Sequence, residues 1–228
     1  MAQDTQIHPV DGGPIYFETN FDQWIVEPYN TLTAAAFLGV CLYWAYRVYR
    51  PEFRGHFLQY VLPILAIGGI GGTLYHGFRN HAVWIFMDWV PILILTVLAS
   101  VYFMWKVTGK WWKASLFVLG LFVLTGLSPL MVADQYASSI SYFFMAVMVL
   151  LPTLLFLRQR DWAYIGYVGG ATLAFGMALT ARIIDPQGLL PMGTHFLWHI
   201  FGALSGSLMI GFIYYHNLRE MRTFAPSK

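Results

Sequence analysis

A single cysteine, Cys41, stands in 228 residues, and it lies in an apolar run. One thiol excludes an intrachain disulfide and a cysteine-rich metal site. Charge is scarce as well. Only 11% of the residues are Asp, Glu, Lys or Arg, against about 25% in a soluble domain. No basic patch or stripe is present, which argues against a nucleic-acid partner. The net charge of +2 points to no partner. Residues 1–14 lack an apolar core, so no cleavable signal peptide is expected. Residues 1–28 hold no Lys or Arg, and the chain has no linker, low-complexity run or evident repeat.

What the chain has is apolar and aromatic bulk: 58% and 18% of the residues, enough for a polytopic membrane protein. Seven apolar segments follow the polar start, at 31–48, 56–78, 82–105, 111–132, 138–157, 162–184 and 192–215. Each is near the roughly 20 residues a spanning helix needs. The expected fold is all-α: a seven-transmembrane helix bundle with antiparallel neighbours. Its parts are an extracytoplasmic segment at 1–30, a transmembrane domain at 31–217 and a cytoplasmic tail at 218–228. Gly68-Gly69-Ile70-Gly71-Gly72 and Gly202-Ala203-Leu204-Ser205-Gly206 allow close helix approach. Trp84, Trp89, Trp111, Trp112 and Trp162 suit the membrane interface. With seven spans, eleven Lys and Arg fall on one side and two, Arg79 and Arg182, on the other. The positive-inside rule then places the C-terminus in the cytoplasm and the N-terminus outside. Arg79 and His81 read as solvated or headgroup-facing, and His8, His56 and His216 receive no role.

Two stretches about 120 residues apart carry the chemistry: Thr73-Leu74-Tyr75-His76 with Asp88, and His195-Phe196-Leu197-Trp198-His199. On a helix, His195 and His199 stack on one face and can take two corners of one metal ion. Asp88 is the acid inside a predicted span, where an ionisable group marks a functional site by default. The topology puts His76 at the outer end of the second span and His195 and His199 in the first turns of the seventh. Asp88 falls about 9 Å into the third, at 1.5 Å per residue. All four therefore reach one depth, in the outer third of the bilayer. Three histidines suit Zn²⁺ with a fourth position open to water, and Asp88 suits the handling of that water's proton. Asp88 could instead hold a ligand imidazole. The water role is favoured, because a bare carboxylate in an apolar setting gains most from it. The substrate would be a lipid carbonyl compound that enters sideways from the bilayer.

Three blocks resemble the alkaline ceramidase family, within the superfamily that includes the progestin and adipoQ receptors. The first runs from Glu18-Thr19-Asn20 through Trp24 to Glu27-Pro28-Tyr29-Asn30-Thr31-Leu32-Thr33. The second is Gly72-Thr73-Leu74-Tyr75-His76-Gly77 with Asp88-Trp89-Val90-Pro91. The third is His195 to His199 with the Ile200-Phe201-Gly202-Ala203-Leu204 after it. Together they run from the first helix to the last in the family's order. The resemblance implies seven spans, an outside N-terminus and zinc held by His76, His195 and His199. It implies that Asp88 works with the zinc-bound water. It implies hydrolysis of ceramide to a sphingoid base and a fatty acid. A Ca²⁺ site is implied in the N-terminal segment, where Glu18, Asn20 and Glu27 match three positions. Two positions depart from the pattern. The family Ser four residues before the first His is Gly72 here, and Thr73 beside it is the candidate catalytic hydroxyl. An Asp ahead of the calcium residues is Ile15, with Asp11 and Asp22 the acids that could stand in.

The expected function is that of an integral-membrane zinc amidohydrolase acting on ceramide or a related N-acyl lipid. In a bacterium it would sit in the inner membrane with its site toward the periplasm. In a eukaryotic cell it would sit in an endomembrane or the plasma membrane. Two alternatives use the same residues. One is a receptor or sensor of the same superfamily with no hydrolytic activity. The other is a bis-histidine haem redox protein, although haem normally takes histidines from facing helices.

Overall fold

The computed structural model describes residues 9–131 and 134–223. The described residues are 78% helix, and with no strand among them the class is all-α. The helices are α1 (Pro28–Ala34), α2 (Ala36–Val48), α3 (His56–Phe78), α4 (Ala82–Thr108), α5 (Trp111–Met131), α6 (Asp134–Gln159), α7 (Ile165–Ile184) and α8 (His195–Thr223). Five helical segments are long and apolar enough to cross a membrane: Pro28–Val48, His56–Phe78, Ala82–Thr108, Ile165–Gln187 and His195–Thr223. Trp111–Leu127 and Phe143–Gln159 are shorter apolar helices. Large apolar side chains such as Leu42, Leu116 and Leu173 point outward. A soluble surface would not tolerate so much exposed apolar area, and a bilayer would. The chain is a multi-pass helical membrane protein.

Several threonine hydroxyls inside these helices are satisfied locally. The hydroxyls of Thr125, Thr153 and Thr172 donate to the carbonyls four residues earlier, at 2.8, 2.7 and 2.9 Å. In an apolar medium that removes the cost of an unpaired donor.

Several helix bounds differ from the hydropathy reading, because backbone capping and apolarity are different signals. The first segment starts earlier, at Pro28, and breaks at Ala35 into α1 and α2. Pro28 is suited to a first turn, where its missing N–H costs nothing. The sixth begins at Ile165, after a turn in which Asp161, Trp162 and Tyr164 all have positive φ. The seventh begins at His195 and continues to Thr223, since helicity outlasts apolarity. The predicted end of the fourth segment, Val132, lies outside the described residues.

Two compact units result. The described parts of Met1–Ile92 and Gly166–Lys228 form one, and Leu93–Ile165 forms the other. In the first, α2 packs between α3 and α8. Small residues set that approach: Gly69 lies against Leu38, and Gly202 against Phe37. The Trp44 indole donates to Ser207 Oγ across α2 and α8 at 2.9 Å, and Ser205 Oγ donates to the Ala171 carbonyl of α7 at 2.9 Å. In the second unit, Val118, Leu121 and Met148 are the centre of a core shared by α5 and α6, and the Phe103 and Phe156 rings meet at 5.5 Å.

Candidate metal centre

His76 occupies the last turn of α3, and His195 and His199 the first turns of α8. Their ring centroids lie 5.3 Å (His76–His195), 4.7 Å (His76–His199) and 4.9 Å (His195–His199) apart. All three side chains are buried. One ring nitrogen of each has no hydrogen-bond partner: Nε2 of His76, Nδ1 of His195 and Nε2 of His199. The three residues offer ligand atoms within 4.8 Å of one another. Buried polar atoms are nearly always paired. Three orphaned imidazole nitrogens converging on one point make a candidate site for a divalent metal ion.

At His76 and His199 the opposite nitrogen is held, which fixes which lone pair faces the cluster. His76 Nδ1 donates to Glu27 Oε2 at 2.5 Å. Thr33 Oγ1 gives its proton to the Tyr29 carbonyl at 2.7 Å, so at His199 Nδ1, 3.1 Å away, it accepts. That tautomer leaves the His199 Nε2 lone pair free. Asp185 sets the position of His195. Its Oδ1 accepts the backbone N–H groups of Thr194 and His195, at 2.7 and 2.8 Å, and so caps the start of α8 from ten residues upstream.

The segment at 9–27 crosses the cluster. Phe17 N donates to Asp185 Oδ2 at 3.0 Å, and Val26 N to the Gly77 carbonyl at 3.0 Å. Between these ties the Tyr16 ring stacks on His195 at 3.8 Å and lies 5.3 Å from His76. Burial keeps the Tyr16 hydroxyl well above the usual phenol range. At Glu27, burial is outweighed by the His76 hydrogen bond and the His76 and Arg79 charges, which hold the carboxyl below its ordinary value.

Asp88 joins the site from α4 but stands beside the histidine cluster. Its carboxylate packs against Gly72, one turn before His76, and a Cβ at Gly72 would come within 2.6 Å of Asp88 Oδ1. The close approach of α3 and α4 also needs Gly71, where a Cβ would meet the Met87 backbone. Asp88 holds neither His76 nor His199, whose Nδ1 partners are Glu27 and Thr33. Arg182, in the last turn of α7, lies over the Trp198 ring at 5.1 Å, and its charge acts on Asp88.

Thr73 Oγ1 donates to the Gly69 carbonyl at 2.7 Å, and one expectation, that of Arg79, is corrected. Arg79 is not solvated: it is 2% exposed and is paired with Asp11 and Glu27. Glu18, Asn20 and Glu27, the expected calcium residues, turn their oxygens to hydrogen-bond donors of the protein. Glu18 accepts the Tyr29 and Asn30 N–H groups at the start of α1, at 2.5 and 2.9 Å. Asn20 Oδ1 accepts Asp22 N at 3.0 Å, and Glu27 is fully engaged.

The residues whose place at the site the sequence reading missed are Tyr16, Thr33, Arg79 and Asp185. Asp185 carried a faint signal, an acid in the Pro/Gly-rich loop before a predicted helix. Tyr16 and Arg79 carried none, because their partners are distant in the chain. Fold and site together define a class: a helical membrane protein with a buried three-histidine cluster at the ends of two spanning helices. No protein-family model matches the chain, and a search of curated proteins finds no match either.

Proposed function

We propose that the chain is a zinc-dependent hydrolase of a lipid amide, with ceramide or a close N-acyl analogue as substrate. The observation that carries this reading is the set of three buried, unpartnered imidazole nitrogens. His76 through Nε2, His195 through Nδ1 and His199 through Nε2 would hold the ion. When bound, zinc supplies a Lewis acid that lowers a water's pKa toward about 7 and polarises a carbonyl oxygen. Nitrogens converging on one point suit a small ion better than haem, which takes ligands on opposite faces of a broad plane.

Asp88 is the general base and acid. Its carboxylate takes the proton of the attacking water and returns it to the amine that leaves. The absence of a hydrogen bond to His76 or His199 supports this assignment over a role as their holder. The Tyr16 ring covers His195 and keeps bulk water from that side. The topology belongs to the proposal: seven spans, the N-terminus outside, the C-terminus in the cytoplasm and the site open to the outer leaflet. Ceramide comes from the resemblance of the three sequence blocks to the alkaline ceramidases.

The test is incubation of vesicle-reconstituted protein with ceramide, with the sphingoid base and fatty acid followed by mass spectrometry. Asp88→Asn should retain zinc and lose about 10²–10⁴-fold in turnover. Full zinc with turnover near wild type would contradict the base role. Zinc-loaded wild type that cleaves no N-acyl lipid would favour the receptor reading.

A further inference from the structure

We infer that Arg79 is the fixed cation of this site: through Glu27 it holds His76 in register for the metal, and it stands where the resemblance calls for calcium. The inference rests on the metal reading above and concerns residues that reading does not use.

The residues do not fit calcium. That ion takes six to eight oxygens at about 2.3–2.6 Å. An ionised carboxylate has about four acceptor positions, and all of Glu27's are filled. Oε1 accepts Thr19 Oγ1 at 2.6 Å and Arg79 Nη1 at 2.5 Å. Oε2 accepts His76 Nδ1 at 2.5 Å and Asn30 Nδ2 at 3.2 Å. Asp11, the nearest acid that could replace the missing Asp at Ile15, is engaged as well. Its Oδ2 accepts Arg79 Nε at 2.5 Å, and its Oδ1 accepts Arg79 Nη2 at 3.0 Å and Gly13 N at 2.8 Å. Ile15 itself is 55% exposed and supplies no oxygen.

Arg79 is built for the task. It is the residue after α3, in the left-handed conformation at φ 50°, three positions beyond His76. The turn folds its side chain back over the end of its own helix. A guanidinium fork can grip Asp11 with two donors and still give a third to Glu27. The result is one chain of contacts, Asp11–Arg79–Glu27–His76, with Asp11, Arg79 and Glu27 all buried. A carboxylate on a ligand imidazole fixes ring orientation and raises ligand basicity. The guanidinium balances the two buried carboxylates, a role an exchangeable divalent ion would otherwise fill. Two buried carboxylates with no cation would be costly.

The experiment is a cobalt and zinc titration of the full chain in detergent, stripped of metal. The buffer is freed of calcium by resin, so that no chelator competes for zinc. Wild type should bind with the same affinity with and without millimolar calcium. Arg79→Gln and Glu27→Gln should each weaken binding by about 10–100-fold and alter the cobalt absorption spectrum in the same way. Arg79→Lys, which keeps the charge without the fork, should recover part of the loss. A merely structural Arg79 would lower thermal stability but leave the affinity and spectrum of the folded protein unchanged, and that result overturns the proposal. Wild-type affinity that rises with calcium overturns it too, whether or not the variants fold. A wild type that binds no transition metal would defeat the metal reading itself, whereas equal binding by Arg79→Gln defeats only the role of Arg79.

Discussion

At the scale of the residue, His76 and His199 each turn one nitrogen to the cluster because the other is occupied, by Glu27 and by Thr33. Thr33 is the simplest place to test this. Thr33→Val keeps the shape of α1's last turn and removes the acceptor at His199 Nδ1. Metal affinity should fall about 10-fold or more, read by competition with a colorimetric chelator, while helical circular dichroism stays unchanged. Gly72 tests the other side of the site. A methyl group there displaces the Asp88 carboxylate, so Gly72→Ala should retain zinc and lose hydrolysis, in a matched measurement of the two. The histidines were legible in the sequence, since a four-residue spacing and a shared depth follow from helix geometry. Their partners were not. Glu27 is 49 residues from His76, and Asp11 is 68 from Arg79. Arg79 read as a loop cation facing water because nothing local shows that the segment at 9–27 folds back over it.

At the scale of the element, the site depends on where helices start and stop. The first two turns of α8 carry two histidines, and Asp185 fixes the start of that helix. Asp185→Ala leaves the N–H groups of Thr194, His195 and Phe17 without their acceptor. A buried unsatisfied group costs about 1–3 kcal/mol. The thermal unfolding midpoint should drop, and metal affinity with it; an unchanged midpoint in a heat-denaturation scan would contradict the capping role. Hydropathy located every apolar helix but not the capping. It measures what lies in lipid, while Pro28, the break at Ala35, the positive-φ turn before Ile165 and the extension to Thr223 are matters of backbone conformation and hydrogen bonding.

At the scale of the whole molecule, a chain with little charge and much apolar surface folds as membrane-spanning helices, and a few of its ionisable groups, among them Asp11, Glu27, Arg79 and the three histidines, are buried at one site. The proposed orientation follows from eleven Lys and Arg against two. Reporter fusions should report the N-terminus outside and Lys228, which lies outside the described residues, in the cytoplasm. A cytoplasmic N-terminus would remove the opening toward the outer leaflet. The central claim is that His76, His195 and His199 form one metal site. The most direct measurement is the metal content of protein purified without chelators, by inductively coupled plasma mass spectrometry. About one zinc per chain is predicted for wild type, because three imidazoles and a water complete a tetrahedral shell. The His76→Ala, His195→Ala and His199→Ala variants should each contain little or none. Wild type free of transition metal, or histidine variants that keep a full complement, would contradict it.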